Sequence, residues 1–289
     1  MTGDYLLVAH NYALPEVQDA ADFVGDSLEL ARRVIDVDHD VIVFAGVDFM
    51  AETAAILNPD KTVIHPDPCS QCAMAARITA EDVLNAQDEH PGAAVVSYVN
   101  TPGAVKAVSD ITCTSANAVE VVQSLEEDEV IFTPDQNLAA YVAGRTGKHI
   151  IPVPALGCCP LHHALSPEQI EARLREYPGA EVIVHPETPP DVQAIAHFIG
   201  STSQMIRRVR ESDARTFIVG TEVGLIHRME QEAPDRSYIP ASDFLVCPDM
   251  KMITLPKIRR AVESGGPVVT VDPDVRRGAR RAVERMLAV

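Results

Sequence analysis

No apolar run in this 289-residue chain approaches the roughly 18 residues a membrane-spanning helix needs, so an integral membrane protein is not expected. The chain opens almost directly on an apolar strand, with no basic-then-apolar leader, and a cytoplasmic location is expected. Basic residues are scarce: 24 Lys and Arg stand against 42 Asp and Glu, a net charge of -18. A nucleic-acid partner would demand a basic face to displace counterions, and none is expected here. Cysteines number only six and no export signal accompanies them, which points to reduced thiols, core fillers or metal ligands in place of a disulfide framework. Cys69-Ser70-Gln71-Cys72 has redox or half-zinc spacing, but no second such pair and no His pair completes a zinc site.

What is present is a repeat. Cys72, Cys159 and Cys247 lie 87 and 88 residues apart. At a shift of 175, His10 falls on His185, Pro15 on Pro190, Val17-Gln18 on Val192-Gln193, Phe23 on Phe198, Gly25 on Gly200, Ser27 on Thr202 and Cys72 on Cys247. The middle copy diverges more, yet at a shift of 88 Tyr98 falls on His10, Val105 on Val17 and Ser115 on Ser27. A period this long indicates whole subdomains, triplicated, not a small-repeat solenoid. Expected units are 1–84, 85–172 and 173–256, with residues 257–289 a terminal helix packed on the first. Three equivalent cysteines predict a shared metal site on a pseudo-threefold axis. Three thiolates without a fourth suit a [4Fe-4S] cluster with one iron open for Lewis-acid chemistry.

Each copy alternates short apolar runs with helical segments, the pattern of parallel strands with crossover helices, so the fold class is α/β, with three αβα sandwiches. Strands are predicted at Tyr5–Ala9, Val41–Ala45, Thr62–His65, Val182–Val184 and Phe217–Val219. Helices are predicted over Pro15–Ala21, Ser27–Ile35 and Phe49–Leu57, after Pro190, Thr202 and Gly224, and from Asp272-Pro273 to about Leu287. In such folds ligand-handling groups follow the strands' carboxyl ends. There stand His10-Asn11-Tyr12, Tyr98-Val99-Asn100 and His185-Pro186-Glu187. Ser27, Ser115 and Thr202 precede helical segments, where a hydroxyl beside free N–H groups serves either as an N-cap or as an anion site. His39, His90, His149 and His197 are expected to pack, and His162, near Cys159, is intermediate between packing and shaping the surroundings of the metal.

The runs Ala9-His10-Asn11-Tyr12, Pro15-Glu16-Val17-Gln18-Asp19, Gly25-Asp26-Ser27-Leu28, Tyr98-Val99-Asn100-Thr101, Cys113-Thr114-Ser115-Ala116-Asn117, His185-Pro186-Glu187, Gly200-Ser201-Thr202-Ser203-Gln204, Gly220-Thr221-Glu222-Val223-Gly224 and Cys247-Pro248-Asp249-Met250-Lys251 resemble those of the quinolinate synthase family. The resemblance runs from about Tyr5 to Leu255. It implies a triangular, pseudo-threefold arrangement of the three domains around an oxygen-sensitive [4Fe-4S] cluster on Cys72, Cys159 and Cys247. It implies condensation of iminoaspartate with dihydroxyacetone phosphate to quinolinate in NAD synthesis, a transferase reaction releasing phosphate and water. Substrate contacts carried over by motif are His10, Ser27, Tyr98, Asn100, Ser115, His185, Glu187 and Thr202; Tyr12, His10, Tyr98, His185 and Glu187 suit acid–base work. Functional coupling to an aspartate-oxidising enzyme is expected, because iminoaspartate is unstable in water. The family usually has an aromatic residue before its central ligand where this chain has Cys158, and Cys69 accompanies Cys72, so neighbouring thiols compete for the ligand positions. Two other readings are a related Fe-S hydro-lyase acting on another small dicarboxylate and a non-catalytic metal or redox-sensing protein.

Overall fold

The structure, a computed structural model, describes residues 5–35 and 37–289. In the first unit β1 (Leu6–His10), α1 (Pro15–Ala20), β2 (Phe23–Gly25), α2 (Ser27–Arg33), β3 (Val41–Ala45), α3 (Asp48–Leu57) and β4 (Thr62–Ile64) follow one another, and α4 (Ala80–Glu89) leads onward. The second runs β5 (Ala94–Tyr98), α5 (Gly103–Ala107), β6 (Ile111–Cys113), α6 (Ala118–Gln123), β7 (Glu129–Thr133), α7 (Gln136–Thr146), β8 (His149–Pro152), α8 (Pro160–His163) and α9 (Pro167–Glu176). The third runs β9 (Glu181–Val184), α10 (Pro190–Ala194), β10 (Phe198–Ile199), α11 (Thr202–Glu211), β11 (Thr216–Gly220), α12 (Gly224–Glu232), β12 (Ser237–Pro240) and α13 (Pro248–Lys251), with α14 (Leu255–Ser264) and α15 (Pro273–Leu287) closing the chain.

Three parallel four-stranded sheets result, ordered β2-β1-β3-β4, β6-β5-β7-β8 and β10-β9-β11-β12. Strands β1, β5 and β9 are buried along their whole length, which fits their mainly apolar runs without alternation. The repeat extends to the register. Val8 pairs with Phe23, Val96 with Ile111 and Ile183 with Phe198, reproducing the shifts of 88 and 175. A side chain beginning the second strand binds the first strand in every copy: Asp22 Oδ2 accepts from Leu7 N–H at 2.8 Å, Asp110 Oδ2 from Val95 N–H at 2.8 Å, and His197 Nδ1 from Val182 N–H at 2.9 Å. His197 thus has the packing role expected of it.

Observed strand and helix ends lie within a few residues of those expected. The short edge strands β2, β6 and β10, of three, three and two residues, carry too little pattern to be read from sequence. The terminal stretch is two helices where one was expected, because Gly265 turns through φ +73° after α14. Ile258 and Ala261 of α14 join the core under β1 and β3. Val269 N–H then bonds Val63 O at 2.8 Å, extending the first sheet's edge. Helix α15 crosses to α5 and β6 of the second unit. Gly278 permits that approach, since a Cβ there would stand 2.6 Å from the Ala107 carbonyl.

Candidate functional site

The carboxyl ends of β1, β5 and β9 open on one cavity of about 180 Å³. From the first unit it is lined by His10 at the end of β1, Tyr12 two residues on, Ser27 at the head of α2, and Cys72 in the loop after β4. The second unit contributes Tyr98, Asn100, Ser115 and Cys159, which directly precedes α8; the third contributes His185, Glu187, Thr202 at the head of α11, and Cys247 directly before α13. Every candidate residue chosen from the sequence lines this space.

The hydroxyls do not cap. Asp26 caps α2 by accepting from Leu28 N–H and Glu29 N–H, and Ser201 caps α11 by accepting from Gln204 N–H, so Ser27 and Thr202 are first helical residues with their hydroxyls free of that duty. Ser115 lies in the turn before α6 and accepts from His185 Nε2 at 3.1 Å. Asn11 Nδ2 donates to Thr202 Oγ1 at 2.8 Å, joining the first and third units. Asn100 lines the cavity, and its buried Oδ1 has no hydrogen-bond partner among the described residues, an acceptor left for a ligand.

Protonation states follow from the hydrogen bonds. His10 Nδ1 accepts Tyr12 N–H at 3.1 Å and His185 Nδ1 accepts Glu187 N–H at 3.3 Å, so each ring carries its proton on Nε2. Burial holds both neutral, with pKa values lowered to about 3; for His10 the neighbouring His185 adds to this. Glu187 is the reverse case. Burial alone would raise its pKa, but the adjacent His185 and His162 and the bond from Tyr98 hold it down to about 2. Its Oε1 accepts from Tyr98 Oη at 2.7 Å and its Oε2 lies 2.7 Å from His162 Nδ1. Since the carboxylate only accepts, His162 donates through Nδ1, leaving Nε2 to accept from Thr221 Oγ1 at 2.8 Å. Thr221 Oγ1 in turn accepts from Tyr12 Oη at 2.6 Å. Tyr12, Thr221, His162 and Glu187 therefore form one directed chain. Burial, with Glu187 adding, raises the Tyr12 pKa well above 10, which keeps the phenol a proton donor. Sequence reasoning assigned no role to Thr221; the strand-end rule, applied to β11 as it was to β1, β5 and β9, would have found it.

The thiols test the fit of a metal. Burial pushes Cys72 up to about 12, Cys159 well above its ordinary value and Cys247 upward, so these thiols keep their protons unless a cation takes the protons' place. Each sulfur is nevertheless built to accept: backbone N–H bonds reach Cys72 from Ala75, Cys159 from His162 and Cys247 from Met250, each three residues on. Sulfur held this way suits a thiolate. Ligand atoms of Cys159, His162 and Glu187 also lie within 4.8 Å of one another. Among the described residues, Cys158, Cys69 and Cys113 do not line the cavity, Cys69 being exposed and Cys113 buried in β6. No described helix is long and apolar enough to cross a membrane.

Fold and site together define a three-unit α/β protein with one cavity lined by thiols, imidazoles and a buried carboxylate. The family model described as quinolinate synthetase A protein matches residues 2–288. The chain is 52% identical to a quinolinate synthase of Dehalococcoides mccartyi, 51% to one of Methanoregula boonei and 50% to one of Thermococcus onnurineus, in each case over 98% of this chain and 93% of the relative. It belongs to the quinolinate synthase family of enzymes.

Proposed function

We propose that this protein condenses iminoaspartate with dihydroxyacetone phosphate to form quinolinate, releasing phosphate and water, as a step of NAD synthesis. The observation that carries the proposal is the convergence of twelve side chains, selected by repeat and motif, on one cavity. Cys72, Cys159 and Cys247 would hold a [4Fe-4S] cluster, which when bound supplies Lewis acidity that eases loss of water from the substrate.

The chain's own groups account for binding and proton transfer. Both substrates are anionic, and a protein of net charge -18 must attract them with local dipoles. The heads of α2 and α11 offer N–H groups with the Ser27 and Thr202 hydroxyls, while the Nε2–H of His10 and the Nδ2–H groups of Asn100 add neutral donors. Condensation requires a proton removed from carbon beside a carbonyl or imine, and protons delivered to departing oxygen. Glu187, ionised, is the base; Tyr12, protonated, is the acid; Thr221 and His162 link the two and hold them in these protonation states. Six free thiols suit a reducing cytoplasm, and an aspartate-oxidising enzyme nearby would supply the short-lived imine.

The test is quinolinate formation by anaerobically purified, cluster-reconstituted protein given both substrates, beside Cys159→Ser. Product from the first and none from the second supports the reading. An intact cluster without product would move a related hydro-lyase ahead.

A further inference from the structure

The three cysteine loops share a device that extends the repeat. Asp48 Oδ1 accepts from Cys72 N–H at 3.1 Å, Asp135 Oδ2 from Cys159 N–H at 3.0 Å and Glu222 Oε1 from Cys247 N–H at 3.0 Å. Positions 48, 135 and 222 are separated by 87 and 87 residues, the spacing of the units themselves. Each carboxylate also grips the helix that follows the third strand of its sheet. Asp48 Oδ1 accepts from Phe49 N–H at 2.8 Å, Asp135 Oδ1 from Asn137 N–H at 2.9 Å and Leu138 N–H at 2.8 Å, and Glu222 Oε2 from Gly224 N–H at 2.7 Å. Gly224 is needed for this, because a Cβ there would stand 2.8 Å from Glu222 Oε2.

Each acid thus staples a helix head to a cysteine loop. Asp135 and Glu222 are fully buried, and the ammonium of Lys251 pairs with Glu222 at 2.9 Å while also donating to Tyr12 O at 2.6 Å. Burying carboxylates beside thiols destined to be anionic is costly unless their orientation is required. We propose that Asp48, Asp135 and Glu222 are positioning residues for the metal centre: they fix the backbone of the three loops so that the sulfurs of Cys72, Cys159 and Cys247 face one point and meet their N–H donors. This rests on the proposed cluster.

The allocation of oxygens separates this role from a generic need for charge. Asp48 makes both bonds through Oδ1, so Asp48→Asn retains them. Asp135 uses both oxygens, so Asp135→Asn keeps one acceptor and turns an NH₂ against the other N–H. Glu222→Gln should behave like Asp135→Asn. The experiment measures iron release from reconstituted wild type and the three variants to a ferrous chelator, with thermal unfolding of each apoprotein alongside. Asp135→Asn and Glu222→Gln should release iron about tenfold faster or more, and Asp48→Asn within about twofold of wild type. Glu222→Gln carries the test if apo Asp135→Asn does not fold. Wild-type release rates in both buried-acid variants, or equal acceleration in Asp48→Asn, would overturn the proposal. A wild-type protein that takes up no cluster would instead overturn the proposed function on which it rests.

Discussion

Tyr98 of the second unit donates its phenolic proton to Glu187 of the third at 2.7 Å, a buried bond across 89 residues of chain. Without it, Glu187 keeps His162 as its side-chain partner on a fully desolvated carboxylate. Tyr98→Phe should therefore lower apoprotein stability by about 1.5–3 kcal/mol, read from denaturant midpoints, and cut kcat by roughly 10- to 100-fold. An unchanged kcat would remove Glu187's setting from the chemistry.

Acid should unfold the apoprotein early. His10 and His185 have folded pKa values lowered to about 3 from 6.5, so in the window between, the unfolded chain binds protons that the folded one refuses. The stability these residues contribute is complete above 6.5 and is lost as pH falls toward 3, at roughly 1 kcal/mol per pH unit for each ring. Glu187, lowered from 4.5 to about 2, adds a further loss below 4.5. Urea midpoints at pH 7.5, 6 and 5 should decline, and His10→Gln with His185→Gln should flatten the decline. A flat wild-type profile would contradict the neutral assignment.

The chain from Tyr12 through Thr221 and His162 to Glu187 predicts non-additive kinetics. Tyr12→Phe and Thr221→Val should each reduce kcat by about 10²-fold with iron content unchanged, and the double variant should be little worse than either. Full turnover in Tyr12→Phe would exclude Tyr12 from proton transfer; simple multiplication of the two losses would break the chain into independent parts.

Lys106 is fully buried and takes the place that Gln18 and Gln193 hold in the other units, at shifts of 88 and 87. Gln18 Nε2 donates to Ala13 O at 2.9 Å, Gln193 Nε2 to Thr188 O at 2.7 Å, and Lys106 Nζ to the equivalent Thr101 O. Burial lowers the ammonium's pKa to about 8. Lys106→Gln should be tolerated within about 1 kcal/mol, whereas Lys106→Met, leaving a carbonyl unpaired, should cost about 1–3 kcal/mol in thermal or chemical unfolding. Equal losses would mean that charge near Glu52, not the loop bond, is what the position requires.

Cys158→Ser should retain wild-type iron and turnover, since Cys159, not Cys158, lines the cavity with Cys72 and Cys247. Iron lost in Cys158→Ser and kept in Cys159→Ser would reverse the assignment.

Much of this protein was legible because triplication writes tertiary equivalence into spacing. Cys72, Cys159 and Cys247 identified one another, and His10, Tyr98 and His185 were found by the rule that places ligand groups at strand ends. The roles of Ser27 and Thr202 were not legible, since sequence does not distinguish a cap from the residue after it: Asp26 and Ser201 do the capping. The staples at Asp48, Asp135 and Glu222 carried the 87-residue signal, but Asp and Glu are common and their exchange in the third unit hid it.

By itself the sequence determined the longer strands and helices of the first and third units, the threefold repeat and the twelve candidate residues that line the cavity, because hydrophobic period, capping chemistry and repeat spacing are local or arithmetic properties of the chain. Only the tertiary structure decided that Thr221 bridges Tyr12 to His162, that Asn11 holds Thr202 across 191 residues, and that α15 lies on the second unit. Those outcomes depend on which atoms come within 3 Å when separate units pack, and no periodicity in a linear chain records that.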